Sequence, residues 1–200
     1  MLGPAVYVFA VLVLFQFSAL QVARWMDDGA PPQDFGLMVP AAEAAMATPA
    51  SSGLPVRIKI PKIHVNAVID HVGILKDGSM GIPSVPSRAA WYMLGPTPGA
   101  TGSAVIDGHV NWWNGRKGVF EHLKDLKPGD TITIQDDQGI VTSFMMRSSK
   151  TIGRNDDATS VFRSTDGKSH LNLVTCTGVW DRAAQMYTKR LVIFADKVQE

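Results

Sequence analysis

The stretch 170–180, HLNLVTCTGVW, contains the only cysteine of the chain. A single thiol forms no disulfide within the chain, and no Cys or His lies at metal-ligand spacing from it. The two remaining interpretations are a small buried apolar side chain and a reactive nucleophile. The run LNLV predicts a strand with Leu171 and Leu173 on one face. The chain is expected to leave this strand through residues 175–178, which would place Cys176 at an open sheet rim that a substrate can reach.

A thiol nucleophile needs a basic or cationic neighbour, because only the thiolate attacks and an unperturbed cysteine has a pKa of about 8.5. The histidines that compete for this role are His64, His71, His109, His122 and His170. His122 is expected on the exposed side of a helix, and His170 lies about 20 Å from Cys176 along an extended strand. His109 follows the predicted strand AVID and Gly108, and Trp112 and Trp113 come just after it. The ends of two strands can meet on one face of a barrel, so His109 is the expected partner of Cys176.

Arg190 is the third residue of interest, because it opens the predicted last strand, RLVIFA. One interpretation is a solvated basic residue beside Lys189. The other is an oxyanion binder, because attack of a thiolate on an amide places negative charge on the carbonyl oxygen. A guanidinium offers directed donors that keep their charge at any working pH.

The elements that must position these residues are mostly short strands. Apolar and polar residues alternate with period two in seven segments, which Gly- and Asp-rich turns separate. The predicted strands are 56–60, 67–74, 102–110, 130–136, 139–147, 170–175 and 189–198. Residues 119–126 alone have a helical rhythm, with Val119, Leu123 and Leu126 on one face. The pattern predicts an all-β fold, a closed or nearly closed β-barrel with one or two short helices.

The first 55 residues differ in composition from the rest. Residues 1–23 carry no charged side chain and are long enough to span a bilayer, so we predict a transmembrane anchor; a cleaved signal peptide and a buried core helix are the alternatives. Residues 24–55, rich in Ala and Pro, are expected to form a stalk, and 56–200 the folded domain. Arg24, by the positive-inside rule, weakly favours a cytoplasmic domain.

The charge balance indicates the kind of partner. The formal net charge is +1 with 18% charged residues, so the chain lacks the strongly basic surface that nucleic acid binding requires. Two aspartate pairs, 136–137 and 156–157, are interpreted as turn formers rather than calcium ligands. The sequence therefore predicts neither a nucleic acid partner nor a metal site.

These residues resemble the fingerprint of the sortases, membrane-anchored cysteine transpeptidases of mainly Gram-positive cell surfaces. Leu173-Val174-Thr175-Cys176 resembles their Leu-x-Thr-Cys strand end, and the spacings to Arg190 (190 − 176 = 14) and to His109 (176 − 109 = 67) are similar to those of the family. Two further stretches resemble class F sortases in particular. They are RIKIPKIHVNAVIDHVGILKDGSM (57–80) and AAWYMLGPTPGATGSAVIDGHVN (89–111).

The resemblance implies a sortase-type barrel of about eight strands and an activity that needs no metal or organic cofactor. It implies that Cys176 attacks the Thr–Gly bond of an LPxTG-like sorting motif and that His109 transfers the proton. Arg190 would steady the oxyanion, with Thr175 as a second contributor to substrate binding. The implied acceptor is a peptidoglycan or pilin amine. The domain would then lie outside the cell on a single-pass membrane anchor, against the weak indication from Arg24.

The sequence departs from the family pattern at three places. Asn172 replaces the usual first threonine, residues 177–180 lack the usual Gly- and Asp-rich continuation, and Asp107 stands where a small residue often precedes Gly-His. Asp107 either perturbs His109 or faces solvent, and the sequence leaves both open. The rival hypotheses are a hydrolase that uses the same cysteine and histidine, an L,D-transpeptidase, and a catalytically silent, membrane-anchored surface domain that binds wall material or a protein.

Overall fold

The structure, a computed structural model, describes residues 53–112 and 115–199. The predicted anchor 1–23 and nearly all of the predicted stalk 24–55 lie outside the described residues. Within the described ranges, no helix is long and apolar enough to cross a membrane. The first strand begins at Pro55, one residue before the predicted start of the domain.

The described residues form eight strands and one short helix. In chain order these are β1 (Pro55–Ile60), β2 (Val65–Val72), β3 (Ala89–Tyr92), β4 (Gly102–Gly108), β5 (Thr131–Asp136), β6 (Val141–Gly153), α1 (Thr159–Phe162), β7 (Ser169–Asp181) and β8 (Met186–Lys197). The strands close into a barrel in the order β1-β2-β3-β4-β7-β8-β6-β5. The pairs β2–β3 and β4–β7 are parallel and the remaining pairs are antiparallel. The predicted closed barrel with few helices is confirmed.

Both faces of the sheet around β4, β7 and β8 are buried. Ile106, Leu173 and Ile193 belong to the cluster inside the barrel, and Leu171 joins it, which confirms the predicted shared face of Leu171 and Leu173. Their chain neighbours point to the outside of the barrel because successive strand side chains alternate. There they form a second buried cluster under α1, with the members Met80, Tyr92, Val105, Ile152, Ala158, Val161, Phe162, Val174 and Val192. Burial on both faces therefore extends to polar residues of β4 and β7, among them Ser103, Asp107, Asn172 and Thr175.

The predicted helix over 119–126 is wrong. Only Leu123–Asp125 is helical, as a 3-10 turn, and the bonds around it join residues three apart. Phe120, Leu123 and Leu126 are the buried side chains of this segment. Their spacing of three residues fits the 3.0 residues per turn of a 3-10 helix, which brings all three to one side, whereas an α-helix would spread them over about 120°.

Strand β3 was missed by the sequence analysis. All four of its residues are buried, and Ala89, Ala90, Trp91 and Tyr92 do not alternate between apolar and polar types. A short apolar run of this kind has no period that identifies a strand. Its parallel pairing with β2 and antiparallel pairing with β4 make it part of the barrel.

Candidate active site

Cys176 lies inside a long strand, and this differs from the sequence prediction. The strand was expected to end at Thr175, but β7 continues to Asp181 because it pairs with β8 on both sides of the thiol. Gly178 adopts a φ of 87° at a register shift between residues 177 and 180, which is a β-bulge. A bulge absorbs the glycine without ending the ladder. The predicted loop after the thiol is therefore the far part of a β-hairpin.

Arg190 is the direct cross-strand neighbour of Cys176 on β8. It is the fifth residue of β8, which begins at Met186, so the prediction that it opens the strand is wrong. Its guanidinium donates two hydrogen bonds of 3.1 Å through Nη1, to the carbonyl oxygens of Tyr187 and Lys189. These bonds hold the buried guanidinium against its own strand, and the Cα atoms of Arg190 and Cys176 lie about 5 Å apart because the two residues are directly opposed on antiparallel strands.

His109 directly follows β4, which ends at Gly108, two residues before the end of the predicted strand 102–110. The last parallel pair between β4 and β7 joins Asp107 to Val174, so two further residues on each strand bring His109 level with Cys176. Neighbouring strands lie about 4.8 Å apart. Thr175 strengthens this junction, because its hydroxyl donates a 2.6 Å hydrogen bond to the carbonyl oxygen of Gly108.

The three residues also share one face of the sheet. Side chains two apart on a strand point the same way. Cys176 therefore follows the direction of Val174, and Arg190 that of Val192. Continuing the alternation of β4 by one residue past its end gives His109 the direction of Val105 and Asp107. Val105, Val174 and Val192 all lie in the outer cluster under α1. His109, Cys176 and Arg190 thus form the next transverse row on the outside of the barrel, with Cys176 in the middle because β7 lies between β4 and β8. We call them the Cys176 row.

The Cys176 row is buried, and this overturns the prediction of an exposed rim thiol. Relative exposures are 4% for Cys176, 4% for His109 and 2% for Arg190. The surroundings are nonetheless polar. Among the described residues the outer apolar cluster reaches Val174 and Val192 and stops one row before the thiol. The strand register sets Cys176 between the positions of Arg190 and His109, and a cationic or imidazole neighbour is the kind of environment that favours a thiolate.

The ring of His109 is held from two sides. Its Nε2 lies 3.1 Å from the carbonyl oxygen of Pro83, in the segment that joins β2 to β3. The ring of Trp112 meets it edge-on, with centroids 4.8 Å apart and an interplanar angle of 77°. The backbone is fixed as well, because Phe120 N–H donates to the His109 carbonyl at 2.9 Å.

Asp107 is buried, with 7% exposure. The sequence left open whether this carboxylate faces solvent or acts on His109, and burial removes the first alternative. It lies one row before His109 on the same face of β4.

The other four histidines lie away from the Cys176 row. His170 begins the buried part of β7, where its ring bonds Asp196 at 2.7 Å and Asp166 at 3.0 Å. His122 is exposed, as predicted, but lies at a 3-10 turn and contacts Asp125. His71 bonds the Pro55 carbonyl, and His64 caps the 3-10 turn Pro61–Ile63.

The contact between Pro83 and His109 was missed by the sequence analysis. The two residues are 26 positions apart, and the group that acts is a backbone carbonyl. Every residue carries such a carbonyl, so the sequence has no signal for it. The one hint is the proline itself, because Pro83 and Pro86 stiffen the segment between β2 and β3.

The closed eight-stranded barrel carries the one cysteine of the chain in β7, opposite Arg190 of β8. The family model for the Sortase domain matches residues 58–198, and this chain belongs to the sortase family. The members of that family are cysteine transpeptidases. A comparison with curated protein sequences found no match.

Solved sortase structures share the fold. Sortase C-1 from Actinomyces oris is 22% identical with a TM-score of 0.57, covering 73% of this chain and 76% of that one. Sortase A from Corynebacterium diphtheriae is 24% identical with a TM-score of 0.57, and the match covers 76% of this chain and 63% of that one. The pilus-related sortase C of Group B Streptococcus is 23% identical with a TM-score of 0.56, over 75% and 69% of the two chains.

Proposed function

We propose that this sortase is a membrane-anchored transpeptidase that cleaves the Thr–Gly bond of an LPxTG-like sorting motif and transfers the product to a cell-wall or pilin amine. The observation that carries the proposal is the alignment of His109, Cys176 and Arg190 in one row across β4, β7 and β8. In this proposal Cys176 is the nucleophile, His109 the proton carrier and Arg190 the fixed cation, which are the parts that acyl transfer needs.

The first half of the proposed reaction forms a thioacyl enzyme. The Cys176 thiolate attacks the threonine carbonyl carbon, and negative charge develops on the carbonyl oxygen. When the carbon–nitrogen bond breaks, protonated His109 gives its proton to the leaving glycine amine. The second half runs in reverse order. An acceptor amine attacks the thioester and loses its proton to His109, and the thiolate leaves.

Arg190 has an electrostatic role in this scheme. Its two bonds to the carbonyl oxygens of Tyr187 and Lys189 hold the guanidinium without help from a substrate. A preoriented, desolvated cation needs no reorganisation when the oxyanion forms, which is why such groups contribute strongly to catalysis. Thr175 holds β7 against the end of β4, because its hydroxyl donates its one hydrogen to the carbonyl oxygen of Gly108. Its side chain alternates with that of Cys176 and follows Leu171 and Leu173 to the inside of the barrel, so its part in this scheme is to hold the strands and not to contact the substrate.

The proposed setting is the outer surface of the cell membrane. The predicted anchor 1–23 would hold the domain there, and sorting-signal proteins and wall or pilin amines would be its substrates. We also propose a class F-like assignment on the stretches 57–80 and 89–111.

A panel of sorting peptides tests the proposed function. The full-length protein, in mild detergent, is incubated with peptides of the form LPxTG and LAxTG, with and without an added amine, and the products are identified by mass spectrometry. We expect cleavage between threonine and glycine and capture of the acyl part by the amine. Cys176→Ala is the matched control and should give neither product. Cleavage that ignores the amine would indicate a hydrolase, and activity in the alanine variant would contradict the proposal.

The burial of Cys176 favours one rival, a catalytically silent surface domain that binds wall material or a protein. A thiol that is 4% exposed reacts with a reagent only when the site opens. Iodoacetamide at neutral pH, with Cys176→Ala as the blank, separates the two functions. We expect the folded protein to be fully alkylated at one site. We also expect the sorting peptide to slow this alkylation. A thiol that reacts only after unfolding would support the silent domain.

A further inference from the structure

The peptide group between Pro83 and Ser84 is hydrogen-bonded on both sides. Its carbonyl oxygen lies 3.1 Å from His109 Nε2. Its N–H, which belongs to Ser84, donates to Asp70 Oδ2 at 3.3 Å. The C=O and N–H of a trans peptide point in opposite directions within one plane. One rigid amide therefore links the carboxylate of Asp70 to the imidazole of His109.

The Asp70 carboxylate is itself held in place. The Ser84 hydroxyl donates to Oδ2 at 3.0 Å, and Arg88 Nε forms an ion pair with Oδ1 at 3.0 Å. Asp70 lies on β2, which pairs with β3, and Val119 N–H donates to the Pro86 carbonyl at 2.7 Å. The segment that carries Pro83 is thus tied to the barrel from both flanks.

The chemistry of the carbonyl decides which nitrogen of His109 carries the proton. A carbonyl oxygen only accepts hydrogen bonds, so Nε2 must be the protonated nitrogen in the neutral ring. Nδ1 is then the nitrogen that gains and loses a proton during a reaction. A carboxylate on the far side of the amide polarises it and strengthens the carbonyl as an acceptor, because hydrogen bonds in a chain reinforce one another.

We infer that Asp70 is a positioning residue that orients His109 through the Pro83–Ser84 peptide and fixes its Nε2–H tautomer. This inference rests on the proposed function of His109 as the proton carrier. The carboxylate does not touch the imidazole, so its effect passes through one amide plane. Triad carboxylates orient a histidine by direct contact. Here a backbone amide stands between the two groups.

Nitrogen NMR of the histidine rings tests the orientation without any turnover. Full-length protein labelled with ¹⁵N at histidine is measured above pH 8, and His109 is assigned from its loss in His109→Gln. We expect the Nε2–H pattern in the parent protein, a mixture of tautomers in Asp70→Ala, and a smaller change in Asp70→Asn. Ser84→Ala keeps the backbone N–H and should retain the parent pattern.

Asp77→Ala is the matched control for a general loosening of the segment. Asp77 accepts the N–H of Ser79 at 3.0 Å and its hydroxyl at 2.7 Å, a similar Asp–Ser contact that leads to no histidine. Its removal should leave the His109 pattern unchanged. An Nδ1–H pattern in the parent protein, or an unchanged pattern in Asp70→Ala, would overturn the inference.

The rate measurement complements the NMR. We expect Asp70→Ala to lower kcat about 3- to 10-fold with KM unchanged, less than direct loss of a triad carboxylate, since an amide and partial solvent exposure intervene. A fall in kcat with an unchanged tautomer would also count against the inference. A chain that cleaves no peptide but shows the expected tautomers would refute the proposed function and leave the orientation of His109 by Asp70 supported.

Discussion

At the scale of single residues, Arg190 differs most from its expected surroundings. An arginine that opens a strand would be solvated. Arg190 is instead buried, and it donates two hydrogen bonds to the carbonyl oxygens of Tyr187 and Lys189. Burying a guanidinium costs free energy unless it is paired and hydrogen-bonded. The pair of strands β7 and β8 therefore contains a buried cation that costs folding free energy, next to the one thiol of the chain. Such an arrangement is typical of a functional site.

Arg190→Lys tests whether the planar guanidinium matters or only its charge. An ammonium cannot reproduce a directed fork of donors, so we predict a fall in kcat of about 10²- to 10³-fold. Steady-state kinetics with a sorting peptide give the value, and the melting temperature checks that the barrel is intact. Arg182→Lys, on the exposed tip of the β7–β8 hairpin, is the matched control and should be neutral. Normal activity in the Arg190 variant would remove Arg190 from the mechanism.

Thr175→Val tests the bond between β7 and the end of β4. Valine has nearly the same shape but leaves the Gly108 carbonyl without the 2.6 Å hydrogen bond. We predict a loss of about 1–2 kcal/mol in the free energy of unfolding, measured by urea denaturation. Thr175→Ser retains the hydroxyl and should recover most of the loss. Equal stability of the valine variant and the parent would show that the bond does not stabilise the junction.

At the scale of elements, the connection between β6 and β7 is tied to the barrel by His170. This segment carries α1, which covers the outer apolar cluster, and its last part is held by the pair His170–Asp166. The other ring nitrogen of His170 bonds Asp196 on β8, which Arg147 also contacts. The histidine at the start of β7 is thus an anchor for the segment above the sheet.

The pair predicts a pH dependence for this segment. The hydrogen bond from His170 and the backbone N–H of Lys168 hold the pKa of Asp166 below its ordinary value. A lowered carboxylate pKa stabilises the folded state above the unfolded pKa, about 3.9 for aspartate, and this stabilisation is lost as the pH falls through the folded value. The protection factors for amide hydrogen exchange of residues 159–168, which correct for the pH dependence of exchange in an unfolded chain, should therefore fall selectively below about pH 4.

Asp166→Asn provides the control for this pH dependence. Exchange of the same segment should be faster at pH 6 and should no longer change selectively as the pH falls. An identical acid profile in the parent and the variant would assign the effect to other carboxylates.

At the scale of the whole molecule, the site depends on a crossover between distant segments. His109 and Cys176 are 67 positions apart and become neighbours because β4 and β7 pair in parallel. Cys176 and Arg190 are joined by a hairpin and meet through local antiparallel pairing. Strand β7 therefore has to pair with β4 before the histidine can lie level with the thiol.

The membrane anchor is the prediction that concerns the complete chain. Residues 1–23 carry no charged side chain, so we expect the full-length protein to sediment with membranes and to resist extraction by high salt and alkaline carbonate. Deletion of residues 1–23 should move the protein to the soluble fraction with its peptide cleavage preserved. Release of the full-length protein by salt alone would contradict a spanning anchor.

The sequence by itself determined the barrel class, most strand positions and the identities in the Cys176 row, because strand periodicity and residue chemistry are local properties. It could not determine where β7 ends, since pairing with β8 carries the strand through Thr177 and Gly178. Nor could it determine the burial of Cys176 or the contact of Pro83 with His109. Those depend on which strands lie side by side and on backbone groups that every residue has, and only the tertiary structure decides them.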